Sequence, residues 1–560
     1  MTPDPIYAGD SALLLEIGEP AITPESNARA IAIARAVRQR AVPGVRDVVS
    51  TFRSVAVFFD PLSTDVASVA AALHDAADAA PSDEPGRVVD VPVVYGGEAG
   101  PDLADVAAFA GCTPEAVIER HASKLYRVYM LGFLPGFAYL AHVDSTIAAP
   151  RRATPRLRVA AGSVGIAGAQ TGIYPRDSPG GWQIIGRTPL TLFDAAQTTP
   201  ALLAPGDQVR FVPVHEGHAA RTFTVREAGH EGEAGREGPP RTTRFITVLR
   251  PGLLTTVQDS GRWGHQSLGV PVAGPMDHPA HRLANAIVGN PADAATFEAT
   301  LLGPELRVEQ ETRVALTGGD LRATMDGADV PAYAPVRCRS GSVLRFGGRR
   351  HGIRAYIAFD GGVAVDPVLG SRATHILSGL GGIDGRPLKA GDRLTLGEET
   401  KPGVVLSRHV KTKPGSQGVS GARLRVLPGP QADDFERSAL DALQRIRFTV
   451  SPQSDRMGYR LSVATGSQLP ATGWGRVRGE MISDVTFMGG VQIPPSGDPI
   501  LLMADRQTTG GYPQLAVVIT ADLPLAGQLG PGDWIEFEVC RRADAIAALI
   551  AAEGKILAVR

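Results

Sequence analysis

Short apolar runs bounded by glycine and proline recur along the whole chain, and only a few stretches carry the three-to-four-residue spacing of an amphipathic helix. In the first part the two patterns take turns. SALLLEIG (11–18) predicts a strand, the alanine-rich run 24–40 a helix, RDVVSTF and SVAVFFD (46–60) a strand pair, 63–80 a second helix, and RVVDVPVVYG (87–96) a further strand. The order β-α-β-β-α-β is a split βαβ arrangement and predicts a small α/β domain over residues 1–85. One helix is expected in the β-rich unit 86–214, with Thr113 as N-cap and Pro114 in its first turn. Residues 215–243, charged and without apolar periodicity, predict a linker. Strand signals resume at FITVLRPGLLTTVQD (245–259) and open a β-rich domain over 244–399, with one helix capped by Asp277 and stopped by Gly289. A second polar linker (400–421) precedes a last β-rich domain, 422–560, with a helix near 431–445 and another at the C-terminus.

Two of these units echo each other. The stretch from Gly162 to Phe211 and the stretch from Gly489 to Phe537 both open on a glycine-rich strand and pass a polar segment ending in IYP or GYP. Both then close on leucine, PGD and a strand. Such an echo predicts two related β-rich domains, each holding its polar segment as a loop over a barrel or sheet. Function is expected where those loops meet: 162–187 and 489–513 approaching 255–277.

Composition narrows the classes. With 560 residues the chain exceeds one hydrophobic core, and 65 glycines with 44 prolines favour strands and turns. A net charge of −2 gives no electrostatic footprint for nucleic acid or an acidic membrane surface. All but six of the 56 basic residues are arginine, the better bidentate partner for carboxylate or phosphate. Three scattered cysteines, Cys112, Cys338 and Cys540, predict neither a disulfide framework nor a zinc site. No signal peptide or membrane-spanning run is read, so the cytoplasm is the expected location.

Several segments carry candidate chemistry. MLGFLPGFAYL (130–140) turns sharply among aromatics and is read as pocket wall at most. Ser163, Gln170, Tyr174, Trp182 and Arg187 sit among many glycines, whose bare amides suit an anion or a carbonyl; a set of turns around a packed Trp is the equal alternative. TTVQDSGRWG supplies Gln258, Asp259 and Arg262. His278 and His281 lie one helical turn apart, but with no second ligand cluster they read as surface histidines and no metal site is assigned. MADRQTTGGYP (503–513) is the most function-like, crowding Asp505, Gln507, Thr508 and Thr509 beside Gly510, Gly511 and Tyr512. No P-loop, GxSxG elbow, HExxH pair or lysine between methionines for biotin attachment is present.

As a set, GFLPGFAYL, AGSVGIAGAQTGIYP and GGWQIIGRTP resemble the B-type subunit of the prokaryotic ATP-dependent 5-oxoprolinase, while TTVQD, GPMD, DRMGYRL, GGVQIPPSG and MADRQTTGGYP resemble its C-type subunit. The same pair is also labelled allophanate hydrolase subunits 1 and 2, sporulation-kinase inhibitor and antagonist, and the carboxyltransferase region of urea carboxylase. This resemblance implies a natural B–C fusion, mainly β with α+β parts: two cyclophilin-like β-barrels, the N-terminal split-βαβ domain and an additional β-rich domain. It also implies activation of 5-oxoproline by ATP with Mg²⁺, ring opening to glutamate by the separate A-type subunit of 5-oxoprolinase, and room for a homodimer of the fusion chain. On that reading Asp505, Arg187, Gln507 and Asp259 are the expected catalytic set. Arg187, Arg262 and Arg506 would offset phosphate charge, and Asp259 or Asp505 would hold Mg²⁺. Ser163, Gln170, Tyr174, Trp182, Arg262, Thr508, Gly510, Gly511 and Tyr512 are the expected substrate contacts. Two alternatives stay open: a carboxyltransferase acting on urea or a related amide with the biotin carrier in trans, and a non-catalytic kinase-inhibitor-type regulator.

Overall fold

A computed structural model describes residues 4–19, 21–78, 86–215, 244–400, 421–469, 473–477 and 481–557; the two expected linkers lie almost wholly outside the described residues. In the first unit, Thr23 Oγ1 accepts from the Ser26 amide at 3.1 Å and Pro24 opens the helix Pro24–Arg40. That helix and Val66–Asp78 lay Ile33, Val37, Val69 and Leu73 on one face of an antiparallel sheet. Its order is Ile6–Tyr7, Ala12–Glu16, Ser54–Phe59, Val45–Ser50, the split βαβ core. The other face, with Leu14, Ala56 and Phe58, packs on Val485, Phe487 and Val517 of the far end of the chain. Coverage on both faces explains why these strands read as unbroken apolar runs.

The sixth element of the expected order departs from that sheet. Strand Val88–Tyr95 pairs in parallel with Gln208–Pro213 and buries Val91 and Val93 in a barrel, leaving Ile6–Tyr7 to hold the sheet edge. The barrel is closed and seven-stranded: Val88–Tyr95, Gln183–Arg187, Ser163–Ala167, Gln170–Ile173, Ala138–Ala141, Leu125–Leu131, Gln208–Pro213. A second closed barrel runs Gly421–Pro428, Gln514–Val518, Gly490–Gln492, Ile500–Leu502, Gly458–Val463, Phe448–Val450, Trp534–Val539. In chain order both are wound first, sixth, fourth, fifth, third, second, seventh, with the first and last strands parallel. The sequence echo covers the last four strands of each. Its PGD tripeptides form the same turn: Gly206 (φ 97) and Gly532 (φ 86) take a conformation that disfavours side chains. Beside them Asp207 accepts from the Ala204 amide at 2.9 Å and Asp533 from the Gly530 amide at 2.8 Å.

Between the barrels in sequence lies a β-sandwich, a six-stranded sheet facing a five-stranded one around Val257, Phe297, Leu306, Ile357 and Phe359. Helix His278–Val288 covers the outer side of the five-stranded sheet through Ala280, Ala284 and Val288. Asp277 caps it by accepting from the Ala280 amide at 3.0 Å, and Gly289 ends it. Thr113 caps Pro114–Ala122 as expected, but a second helix, Leu103–Ala110, precedes it where none was predicted. No helix among the described residues is long and apolar enough to cross a membrane.

Candidate functional site at the junction of the barrels

Carboxylates of the first unit fasten it to the second half. Asp47 accepts from the amides of Gly264 (3.1 Å) and Gln266 (3.0 Å), Asp10 from Thr520, and Asp484 in turn accepts from Thr51 and Ser54. The turn at 130–137 of the first barrel meets the second half through contacts of its own. Leu131 bridges to Leu268, and the Gly136 amide donates to Leu268 O at 2.9 Å. Gly132 packs so closely on the Thr509 side chain that a Cβ there would run into it, and the Tyr139 hydroxyl faces the same threonine.

Three further segments close this junction. Gln258 donates to Thr374 O (3.1 Å), Arg262 to Val368 O (2.8 Å) and Ala373 O (2.8 Å), His375 lies 3.3 Å from Asp505 O, and Arg506 donates to Gln266 Oε1 (2.8 Å). Segments 258–266, 371–378 and 505–509 are thereby held in contact. On them sit six buried polar atoms without a partner: Gln258 Oε1, Arg262 Nη1, Gln266 Nε2, Ser378 Oγ, Thr508 Oγ1 and Thr509 Oγ1. Native interiors rarely leave such atoms unsatisfied, so a cluster of them marks a place for water or ligand. Arg262 is 1% exposed, and burial lowers its pKa to about 10; no carboxylate of the described residues pairs with it. A buried guanidinium with one free nitrogen is a ready partner for carboxylate or phosphate oxygen.

Beneath the junction Phe52, Phe137, Tyr139, Tyr174 and Trp182 pack edge to face, with Phe137 to Trp182 centroids 5.5 Å apart. Tyr174 and Trp182, expected as substrate contacts, are 2% and 6% exposed and serve as packing. The equivalence of IYP and GYP also fails: Tyr174 follows the fifth barrel strand and is buried, whereas Tyr512 precedes the sixth and is 40% exposed. Ser163 is buried at a strand start, and Gln170 pairs across to Ala141 and Ala167 within the first barrel. Arg187 stays exposed at its strand end, donating to Ala161 O at 2.8 Å, with both cross-strand neighbours inside that barrel. Gln507 is half-buried, its carbonyl taken by the Thr486 hydroxyl; Gly510 pairs with Asp484 beside Gly511.

The two expected metal-holding carboxylates do not fit that role. Asp505 gives both oxygens to Arg456, at 2.9 Å each. Asp259 accepts from Ser371 Oγ (2.6 Å) and the Gly261 amide on one oxygen and from the Arg372 amide on the other. Every oxygen of the two already accepts from a protein donor, so neither is an unengaged carboxylate, and among the described residues no group of three or more His, Cys, Asp or Glu could hold a metal.

Asp505 belongs instead to a buried network that sequence reasoning missed. Arg456 also binds Glu298 and donates to Gly274 O at 2.6 Å; Glu298 accepts from the Met276 amide (2.9 Å) and Tyr356 (2.7 Å). Sandwich and second barrel are joined through these bonds. A charge amid the buried strand TFEAT was the available signal, since a lone glutamate there demands a partner. His281, expected at the surface, is fully buried against Thr296, 2.9 Å away.

Comparison with known proteins agrees with this architecture. The Carboxyltransferase domain, subdomain C and D, matches residues 6–203, and the Carboxyltransferase domain, subdomain A and B, matches 268–539. The chain is 39% identical over 310 residues to the C-type subunit of 5-oxoprolinase from Escherichia coli (strain K12), covering 54% of this chain and 94% of that one. It is 43% identical over 220 residues to the B-type subunit of 5-oxoprolinase from Bacillus subtilis (strain 168), covering 37% and 91%. Urea amidolyase of Saccharomyces cerevisiae (strain ATCC 204508 / S288c) is 35% identical over 306 residues, 52% of this chain but 16% of that protein. The crystal structure of TTHA0988 matches with a TM-score of 0.78 at 36% identity, over 94% of this chain and 99% of that one. The chain belongs to the carboxyltransferase-domain family. In N-to-C order its halves are those of a 5-oxoprolinase B–C fusion.

Proposed function

We propose that this chain is the B–C component of an ATP-dependent 5-oxoprolinase of the cytoplasm, activating 5-oxoproline for ring opening to glutamate with a separate A-type subunit. The observation that carries this reading is that each half matches more than nine-tenths of a curated 5-oxoprolinase subunit. An unstrained lactam is a poor electrophile. Transfer of the γ-phosphoryl group of ATP to its carbonyl oxygen, releasing ADP, makes that oxygen a leaving group; water then adds to the carbon and the C–N bond breaks, the nitrogen taking a proton, to leave a γ-glutamyl phosphate, and a second water attacks the same carbon so that phosphate departs with the former carbonyl oxygen. Arg262 Nη1, Thr508 Oγ1 and Ser378 Oγ are suited to donate to the lactam or phosphoryl oxygens, while Gln258 Oε1 can accept the lactam N–H. Mg²⁺ would travel with ATP, without carboxylate ligands from Asp259 or Asp505.

A second reading is supported by the family match to a carboxyltransferase domain and by the urea amidolyase relative. In it the same donors hold a urea-like amide that takes CO₂ from carboxybiotin on another chain. The deciding experiment mixes the purified chain with the A-type protein and follows ADP and glutamate with and without 5-oxoproline, beside a parallel reaction holding carboxybiotin and urea. Release of ADP and glutamate in step, dependent on 5-oxoproline, supports the first reading; carboxylation of urea with no ADP release replaces it with the second.

A further inference from the structure

A cavity of about 480 Å³ backs onto the barrel junction, with Trp263 and Arg506 of the junction segments in its wall, and lies between the first unit, the sandwich, the second barrel and the C-terminal helix Arg542–Leu557. Its size is that of a small-molecule site and far beyond the voids a packed interior tolerates. One wall is aromatic: Phe58, Trp263 and Phe487, with Phe58 to Phe487 centroids 5.4 Å apart and Phe58 to Trp263 6.5 Å. Leu523, Pro524, Leu549 and Ile556 line it as well.

The charges around this space do not cancel. Arg46 is paired with Asp60 at 2.7 Å and Arg282 with Glu553 at 2.6 Å. His278, neutral or cationic, adds no negative charge. Arg506 is left over among the lining charges: it is 3% exposed, donates to Thr486 O and Gln266 Oε1, lies 5.8 Å from the Phe58 ring, and makes no ion pair among the described residues, Asp47 acting on it only at longer range. A buried cation in an apolar chamber calls for one compensating negative charge. A phosphate dianion would exceed the single positive charge available, whereas a monocarboxylate matches it.

We infer that this cavity is a second ligand site, for a small organic monocarboxylate whose apolar body lies between the three aromatic rings and the C-terminal helix and whose carboxylate meets Arg506. Occupancy would fasten the first unit, the sandwich and the second barrel to one another through one molecule. The site stands apart from the oxoprolinase reading, and its test does not read turnover.

The test is calorimetric titration of the full chain with 4-phenylbutyrate and, separately, with its uncharged counterpart 4-phenylbutanamide. One-to-one binding of the acid, at least ten-fold tighter than the amide, is expected. Ala552→Trp, which fills the cavity from the helix side, should abolish acid binding while the thermal unfolding profile is kept. Arg506→Gln should bring acid and amide within two-fold of each other. Absence of saturable binding to the folded wild type overturns the inference, as does an amide that binds as well as the acid or unchanged affinity in Ala552→Trp. Should Arg506→Gln fail to fold, the acid and amide comparison with Ala552→Trp still decides.

Discussion

Replacing Asp505 by Ala separates a structural from a catalytic reading of the most function-like motif. Both oxygens of this carboxylate are committed to Arg456, and the two residues are 5% and 4% exposed. Breaking a buried pair by removing one partner costs about 3–5 kcal/mol, because the surviving charge stays desolvated. Arg456 keeps Glu298 and Gly274 O, which places the cost near the lower end, about 3 kcal/mol. A chain of several units need not unfold in two states, so the loss is best read locally. Hydrogen exchange in peptides covering 456–461 and 501–507 should accelerate roughly 150-fold, the equivalent of about 3 kcal/mol. Asp505→Asn, which leaves one acceptor oxygen for the guanidinium, should lose less. Exchange as slow as wild type in Asp505→Ala, together with abolished turnover, would refute the structural assignment and return Asp505 to the catalytic set.

Other consequences follow from the same geometry. Thr508→Val removes a buried hydroxyl that has no protein partner, so stability should hold or rise by up to about 1 kcal/mol while turnover with the A-type protein falls about 100-fold; equal turnover would remove Thr508 from the site. Burial raises the Asp277 pKa to about 6. Between pH 4 and 6 the folded protein therefore retains a proton at Asp277 that the unfolded chain has released, and the contribution of this one group to stability falls as pH rises through that window, by on the order of 3 kcal/mol. Asp277→Asn, a comparable cap, should flatten this slope and gain stability at pH 7, as urea titrations at several pH values would read. Burial lowers His121 to about 3 and His281 to about 4, so below pH 6.5 the unfolded chain takes up protons that the folded one refuses. The contribution of these two histidines to stability should fall with acidification over that range, opposing that of Asp277, and His281→Gln should remove one proton from the slope; an unchanged slope would contradict the burial argument.

Much of the fold was legible because it rests on local signals. The helix over 24–40, the caps at Thr113 and Asp277, and the PGD turns each depend on residues within a few positions of one another. The echo was legible for another reason: two chains wound in the same strand order need glycine, proline and apolar positions at matching places. What escaped was nonlocal. Strand Val88–Tyr95 follows the second helix in sequence but answers to Gln208–Pro213, more than a hundred residues on. The short helix Leu103–Ala110 was hidden by its alanine-rich run and turn-like flanks. At the site, residue type put Asp505 and Arg187 in the catalytic set and Thr508 among the substrate contacts. Only the fold distinguishes a carboxylate saturated by Arg456 and an exposed strand-end arginine from a hydroxyl left without a partner. Arg456 and Glu298 lie 158 positions apart, and no spacing rule joins them.

The most direct test of the central claim follows the lactam oxygen. With 5-oxoproline labelled by ¹⁸O at its ring carbonyl, and with this chain, its A-type partner and ATP present, one label should pass to inorganic phosphate for each glutamate formed. Glutamate accumulating beside unlabelled phosphate would contradict activation by phosphorylation of that oxygen.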